Sequence, residues 1–105
     1  MEFIETSIFS KQILDLLDDE SYRELQKQLI YRPDAGVVVP GTGGLRKTRW
    51  AGSNRGKRGG IRVIYYHIHS DGLLLMLYAY AKNAKEDLTK VQLQKLSVIA
   101  KEELV

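Results

Sequence analysis

Basic side chains are concentrated in the middle of the sequence, between Gly41 and Tyr66. This stretch contains seven Lys or Arg residues, and no Asp or Glu occurs between Asp34 and Asp71. The seven are Arg46, Lys47, Arg49, Arg55, Lys57, Arg58 and Arg62. Guanidinium groups match phosphate oxygens with two parallel donors, and ammonium groups bind phosphate as point charges. We therefore predict that this stretch presents a polyanion-binding surface, with a solvated charged loop as the simpler alternative.

The same residue types could cleave RNA, because RNA carries its own nucleophile in the ribose 2′-hydroxyl. A protein must align this hydroxyl with the neighbouring phosphorus, accept its proton, stabilise the added negative charge and protonate the leaving 5′-oxygen. Arginine suits the charge stabilisation. In the run Arg46, Lys47 and Arg49, crowding among cations would disfavour the ammonium form of Lys47 and let it act as a base. Simple phosphate binding is the alternative role for each residue.

Other kinds of chemistry find little support in the sequence. There is no Cys, which excludes a thiolate nucleophile and a disulfide framework. The glycines of residues 41–44 are typical of phosphate-binding loops, but the Lys-Ser/Thr ending of a P-loop is missing, so we interpret them as a tight turn before a strand.

The two histidines, His67 and His69, could bind a metal or act as the acid and base of a nuclease. The sequence contains no third imidazole, and strand alternation places both histidines on the face opposite to Arg62. We therefore expect structural histidines, no metal site and no cofactor.

The hydrophobic periodicity predicts a single α+β domain over residues 1–105. A short strand at 2–6 precedes helices at 8–17 and from about 19 to 31, with N-caps at Thr6 or Ser7 and at Asp18 or Asp19. Strands follow at 45–50, 61–69 and 73–81, the last of them central, with a further short strand offered by 37–39. A helix over 90–104 begins with a Thr89–Gln92 capping box. We expect all helices on one face of the sheet.

Strand alternation also predicts which basic side chains can act together. Lys47 and Arg49 share a face of their strand with Leu45, and Arg62 shares a face of the next strand with Tyr66. Residues 51–59 form a polar, Gly-rich turn between these two strands. Residues 1–34 contain four bases and eight acids, whereas residues 67–105 contain five of each, so the positive charge is confined to the central stretch.

Three blocks of sequence are distinctive: GGLRKTR at 43–49, GKRGGIRVIYY at 56–66 and YAKNAKEDLT at 80–89. In order and spacing they resemble the HigB branch of the RelE/ParE toxin superfamily. With a helical hairpin before them and one helix after, the resemblance covers nearly the whole chain. It implies a small RelE-like fold: an N-terminal strand and helical hairpin, then a twisted antiparallel sheet with a basic concave face, and a C-terminal helix.

The resemblance also implies a function, that of a toxin from a bacterial type II toxin–antitoxin system. RelE and HigB proteins enter the ribosomal A site and cut mRNA there without a metal, which leaves a cyclic phosphate and a 5′-hydroxyl and inhibits translation. The implied partners are the ribosome, its RNA, mRNA, and a small antitoxin with a helix-turn-helix domain. Operator DNA would be bound only through that antitoxin. The expected location is the cytoplasm, with no membrane association.

Site residues follow from the same resemblance. Lys47 and Arg49 match two basic residues of RelE on the strand after the hairpin, and Arg62 matches the arginine that stabilises transition-state charge. Asn83 stands where RelE has an arginine after the last strand, with Lys82 beside it. The predicted catalytic residues are thus Lys47, Arg49, Arg62 and Lys82. The predicted RNA-binding residues are Arg46, Arg55, Lys57, Arg58, Tyr66, Tyr80 and Asn83.

The proton donor is left open by the resemblance. The tyrosine that RelE uses falls near Thr89, which cannot stack on a base, and Tyr66 and Tyr80 are the candidates to replace it. Two alternative functions stay open: a ParE-like inhibitor of DNA gyrase, and a nucleic-acid-binding module without catalysis.

Overall fold

A computed structural model describes residues 1–50, 60–82 and 87–102. The strands are β1 (Glu2–Glu5), β2 (Val37–Val38), β3 (Arg46–Trp50), β4 (Ile61–Ile68) and β5 (Leu73–Ala81). The helices are α1 (Ser7–Leu16), α2 (Asp19–Tyr31) and α3 (Lys90–Glu102). Every helix and strand predicted from the sequence is present among the described residues. The predicted 51–59 turn, and with it Arg55, Lys57 and Arg58, lies outside them, as does Asn83.

The helices begin where the sequence predicts, because side chains satisfy the unpaired N–H groups of each first turn. Thr6 Oγ1 accepts a hydrogen bond from the backbone N–H three residues on, at 3.0 Å, and Asp18 Oδ1 does the same at 2.7 Å. Thr89 and Gln92 form a complete capping box, with bonds of 2.9 and 3.1 Å. No helix formed by the described residues is long and apolar enough to cross a membrane.

The five strands form one sheet in the order β1-β5-β4-β3-β2. β2, β3, β4 and β5 pair antiparallel, as expected, and β1 joins β5 in parallel at one edge. β5 is an interior strand, and most of its residues are buried on both faces. This explains why its sequence is an almost continuous apolar run.

The helices cover both faces of the sheet. α1 and α2 pack Phe9, Leu25 and Leu29 against one face, around Val63 and Met76. α3 packs on the opposite face, where Leu96 and Ala100 meet Ile64, Leu75 and Leu77. The prediction that all helices share one face is therefore wrong. β4 and β5 are apolar on both sides, so the second face also needs a cover.

A β-bulge in β5 changes which tyrosines face α3. Ile64 is opposite Tyr78 but Tyr65 is opposite Met76, so Leu77 is an extra residue in β5. Simple alternation would place Tyr78 and Tyr80 on the same face as Met76. The bulge instead moves both tyrosines to the α3 face, which is also the face of Arg62.

Candidate active site

Three side chains form a row across the sheet at the N-terminal end of β4. Arg49 on β3 is directly opposite Arg62 on β4, and Arg62 is opposite Tyr80 on β5. Directly opposed residues in a sheet point to the same face, and neighbouring strands lie about 4.8 Å apart. The row thus spans about 10 Å. It unites two predicted catalytic residues with one predicted RNA-binding residue.

Lys47 is connected to this row through Asp87, which contacts both Lys47 and Tyr80. Two residues before Arg49, it shares the same face of β3, and its Nζ lies 3.3 Å from Asp87 Oδ1. The Tyr80 hydroxyl donates to the same carboxylate oxygen at 3.2 Å. We call Lys47, Arg49, Arg62, Tyr80 and Asp87 the basic-face cluster. Sequence reasoning missed Asp87, although it lies in the third block that the resemblance singles out.

Asp87 is charged and positioned as an acceptor. Desolvation is the largest single effect and raises its pKa, but the hydrogen bond and charge of Lys47, together with the Leu88 N–H and the Tyr80 hydroxyl, outweigh it and bring the pKa below the ordinary aspartate value. The carboxylate therefore carries its charge at neutral pH. It fixes an ammonium group and a phenol next to the two arginines.

Tyr80 is a proton-bearing donor in this cluster. Its side chain is buried, and desolvation, followed by the charge and hydrogen bond of Asp87, raises its pKa to about 12, against the opposing effect of Arg62. The phenol therefore keeps its proton at neutral pH. Tyr78 is its neighbour on the same face, with ring centroids 6.2 Å apart.

Arg49 and Arg62 are directly opposite each other, an arrangement that does not help to stabilise a sheet. Like charges directly opposite each other on neighbouring strands destabilise the pairing. Arg49 is exposed, and its side chain makes no ion pair with any residue in the described ranges. A bound phosphate would replace the repulsion between the two guanidinium groups by charge-assisted hydrogen bonds. The pair is therefore suited to hold an anion.

Lys82 lies at the same end of the sheet. It follows β5 directly, and its backbone N–H donates to the Gly60 carbonyl at 3.1 Å, two residues before Arg62. The fourth predicted catalytic residue is thus next to the row. The predicted residues Arg55, Lys57, Arg58 and Asn83 lie outside the described part of the chain.

Arg46 is a predicted RNA-binding residue that the structure does not bring to this site. It faces the opposite side of β3, where Nη1 donates to the carbonyls of Gly36 at 2.7 Å and Asp34 at 3.2 Å. Its Nε is 3.6 Å from Asp34 Oδ1. The expectation that Lys47 is crowded by Arg46 is also wrong, because successive strand residues point to opposite faces and Lys47 has an acid beside it.

Tyr66 shares the face of Arg62 but lies four residues along β4, about 13 Å away at 3.3 Å per residue. Its ring packs into the core under α3, beside Gly44, where an added Cβ would come within 3.1 Å of the ring. Gly44 has a φ of +114°, so glycine suits this position in both conformation and size. The structure therefore leaves Tyr80, and not Tyr66, beside the arginines.

The turn over residues 41–44 is structural, as the sequence predicts. Buried Thr42 donates to the Val39 carbonyl at 2.6 Å and accepts from the Leu45 N–H at 3.2 Å. Ser97 on α3 donates to the Thr42 carbonyl at 2.6 Å. These bonds close the turn onto α3, so this glycine-rich segment does not form an open phosphate loop.

The two histidines lie on the α1–α2 face, away from the basic-face cluster, as alternation predicts. An acid that is distant in sequence nevertheless lies beside them, because His67 Nδ1 is 2.9 Å from Asp34 Oδ1. Asp34 comes from the turn after α2, 33 residues earlier in the chain. Local sequence gives no sign of such a long-range contact.

Comparison with known proteins gives one family and one fold. Residues 14–105 match the family described as the RelE toxin of the RelE/RelB toxin–antitoxin system. A doubly substituted E. coli toxin RelE, in the free state, superposes with a TM-score of 0.59 and 16% sequence identity, over 93% of this chain and 94% of that one. That structural match confirms the predicted fold. The family match extends over most of the sequence, and the chain therefore belongs to the RelE toxin family.

Proposed function

We propose that this toxin is a ribosome-dependent mRNA endonuclease of the HigB type. The observation on which the proposal rests is the row of Arg49, Arg62 and Tyr80, with Lys47 and Asp87 beside it. Opposed arginines offer an anion site, and the adjoining phenol and carboxylate offer a proton donor and acceptor. These are the groups that cleavage by an internal 2′-hydroxyl requires.

The arginines would bind the scissile phosphate. Arg49 and Arg62 approach it from neighbouring strands, and Lys47 provides a third positive charge from the next row. As the 2′-oxygen attacks, negative charge grows on the phosphoryl oxygens, and fixed guanidinium donors stabilise it most at that stage. Lys47 serves as a phosphate clamp in this scheme, because the partner beside it is an acid.

The proton transfers involve Asp87 and Tyr80. When Lys47 turns toward the phosphate, the Asp87 carboxylate accepts the proton of the 2′-hydroxyl as the bond from the 2′-oxygen to phosphorus forms. Tyr80 gives its proton to the 5′-oxygen as the bond from phosphorus to that oxygen breaks. The 3.2 Å hydrogen bond between the two side chains then returns the proton from Asp87 to Tyr80. The products are a 2′,3′-cyclic phosphate and a 5′-hydroxyl.

The remaining predicted residues would contact RNA around this centre. Lys82 would position the message beside Arg62 or deliver a proton. Arg55, Lys57 and Arg58, in the basic segment between β3 and β4, would contact ribosomal RNA, and Asn83 would contact the message.

A translation reaction with a defined message tests the proposal. We expect new 5′ ends within the A-site codon when the toxin and ribosomes are both present, and none with message alone. A message with a single 2′-deoxynucleotide immediately before the scissile phosphate should resist cleavage, because the nucleophile is missing. Lys27→Ala, a substitution on the exposed face of α2, is the matched control and should cleave like the wild type.

Three results would contradict the proposal. Cleavage of the 2′-deoxy message would show that water, and not the ribose, attacks the phosphorus. An intact message together with inhibited supercoiling by purified gyrase would point to the ParE-like activity instead. Salt-dependent binding to ribosomes without any cleavage would leave only a binding module.

The family pairs its toxins with antitoxins. We further propose that the antitoxin of this toxin has a helix-turn-helix domain, that both proteins act in the cytoplasm, and that operator DNA is bound through the antitoxin alone. A gel-shift assay should show operator binding by the complex and by the antitoxin, and none by the toxin at matched salt.

A further inference from the structure

A second cluster of polar side chains lies on the opposite face of the sheet from the basic-face cluster. It consists of Asp34, His67 and His69, whose ligand atoms all lie within 4.8 Å of one another. His67 is near the C-terminal end of β4 and faces α1 and α2, and His69 begins the 3-10 turn that follows. Asp34 lies in the turn after α2. The mechanism proposed above uses none of the three.

The turn that contains Asp34 is held firmly in place. The Tyr65 hydroxyl donates to the Pro33 carbonyl at 2.7 Å and accepts from the Gly36 N–H at 2.9 Å. Arg46 donates to the carbonyls of Gly36 and Asp34. The backbone that carries Asp34 is therefore held beside the histidines by contacts that do not depend on the histidines themselves.

The two imidazoles lie close to Asp34 and to each other. The His67 side chain is only 8% exposed, its Nδ1 is 2.9 Å from Asp34 Oδ1, and His69 Nε2 is 3.5 Å from the same oxygen. The two rings lie 3.8 Å apart between centroids. Two imidazoles this close would repel each other if both were protonated, whereas neutral rings can share one cation as ligands.

These distances are close to those of a transition-metal site. Zinc bonds to imidazole nitrogen and carboxylate oxygen are about 2.0–2.1 Å long, which in a tetrahedron separates the ligand atoms by about 3.3 Å. The two separations from Asp34 Oδ1, 2.9 and 3.5 Å, bracket that value. Small rotations of the exposed His69 side chain would complete the geometry.

We propose that Asp34, His67 and His69 bind a divalent transition metal of the zinc class. Two imidazoles and one carboxylate suit zinc better than magnesium or calcium, which prefer oxygen ligands. Ligands bind a metal in their deprotonated forms, so affinity falls as pH is lowered. The positive charge of the nearby Arg46 guanidinium repels the metal ion, and water molecules occupy the coordination positions that the protein leaves open. The site therefore binds metal more weakly than a site with four protein ligands.

Such a metal would tie the end of α2 to the end of β4 without touching the basic-face cluster. The proposal therefore does not depend on the ribonuclease activity, and either can fail alone. The expected consequence is a rise in thermal stability on metal binding, because the unfolded chain does not hold the three ligands together.

Cobalt spectroscopy on the tag-free, chelator-stripped chain gives the direct test. We expect visible d–d bands on addition of Co²⁺, loss of those bands when Zn²⁺ is added, and 1:1 stoichiometry. His69→Gln, at a mostly exposed side chain, should weaken binding at least about 10-fold without unfolding the protein. Asp71→Asn, an acid of the same turn that lies outside the cluster, is the matched control and should bind like the wild type.

Thermal unfolding provides the second readout. Saturating Zn²⁺ should raise the unfolding midpoint of the wild type and of Asp71→Asn by at least about 4 °C, and that of His69→Gln by much less. The proposal is overturned if the wild type shows neither Co²⁺ bands nor a Zn²⁺-dependent midpoint, or if His69→Gln responds like the wild type in both experiments.

Discussion

The two faces of the sheet differ in the neighbours that their arginine side chains meet. On the α1–α2 face, polar groups meet partners that neutralise or satisfy them: Arg46 meets Asp34, Tyr22 donates to Glu5, and Tyr65 bonds to the turn after α2. On the α3 face, Lys47 and Tyr80 meet Asp87, but Arg49 and Arg62 are directly opposite each other on neighbouring strands. The same strands β3 and β4 therefore place Arg46 beside an acid on one side and two arginines opposite each other on the other side.

This difference indicates how stability and function are divided. Satisfied polar groups on the α1–α2 face lower the free energy of the folded state. Like charges directly opposite each other disfavour the strand pairing at that position, and a bound anion would offset the repulsion. Substitutions on the first face should therefore change stability, and those on the second should change activity.

The largest effect is expected from removing both opposed arginines. Arg49→Ala with Arg62→Ala should lower cleavage at least about 1,000-fold, because loss of a single preorganised donor to a developing oxyanion costs about 100- to 1,000-fold. Urea unfolding gives the folded fraction of the variant, so the cleavage rates are compared per folded molecule. Single-turnover cleavage on ribosomes measures the loss, and cleavage within about 10-fold of wild type would contradict the assignment.

The next largest effect is expected at Tyr80. Tyr80→Phe removes the proposed proton donor and should lower cleavage about 100-fold, within the usual range for a general acid. Tyr78→Phe is the matched control, because Tyr78 shares the face and lies one row away. Equal losses in the two variants would show that the tyrosines act by packing and not by proton transfer.

A smaller effect, on stability alone, is expected on the other face. Tyr65→Phe removes the hydroxyl that bonds both Pro33 and Gly36, and should lower the free energy of unfolding by about 1–3 kcal/mol. Cleavage per folded molecule should be unchanged. Loss of cleavage without loss of stability would break the proposed separation of the two faces.

The smallest effect is expected in the alkaline pH dependence of stability. The pKa of Tyr80 is raised from 10.0 to about 12, so the folded state holds this proton more firmly than the unfolded chain does. The resulting stability is fully present below about pH 10 and is lost as pH rises through about 12. Urea unfolding between about pH 9 and about pH 11 should show a shallower decline in Tyr80→Phe than in wild type. Identical slopes would contradict the raised pKa.

Local sequence determined the parts of the fold that depend on local physics. Thr6, Asp18 and Thr89 cap helices as predicted, because an N-cap needs only a side-chain oxygen within one turn. Alternation within β3 likewise placed Lys47 and Arg49 on one face, and the register with β4 adds Arg62 to it.

The remaining features depend on contacts between distant residues. The bulge at Leu77, which brings Tyr80 to the face of Arg62, follows from the pairing of β4 with β5 and not from β5 alone. Asp87 reaches Lys47 across 40 residues, and Asp34 reaches His67 across 33. The position of α3 on the second face similarly depends on which apolar surface α1 and α2 leave uncovered.

The most direct test compares Arg62→Ala with Arg46→Ala, two arginines on opposite faces of neighbouring strands. We expect Arg62→Ala to lose ribosome-dependent cleavage by about 100-fold or more per folded molecule. Arg46→Ala should unfold at lower urea, because the turn after α2 loses its clamp, and should cleave normally per folded molecule. Normal cleavage by Arg62→Ala, or an equal loss in both variants, would contradict the assignment of catalysis to the α3 face.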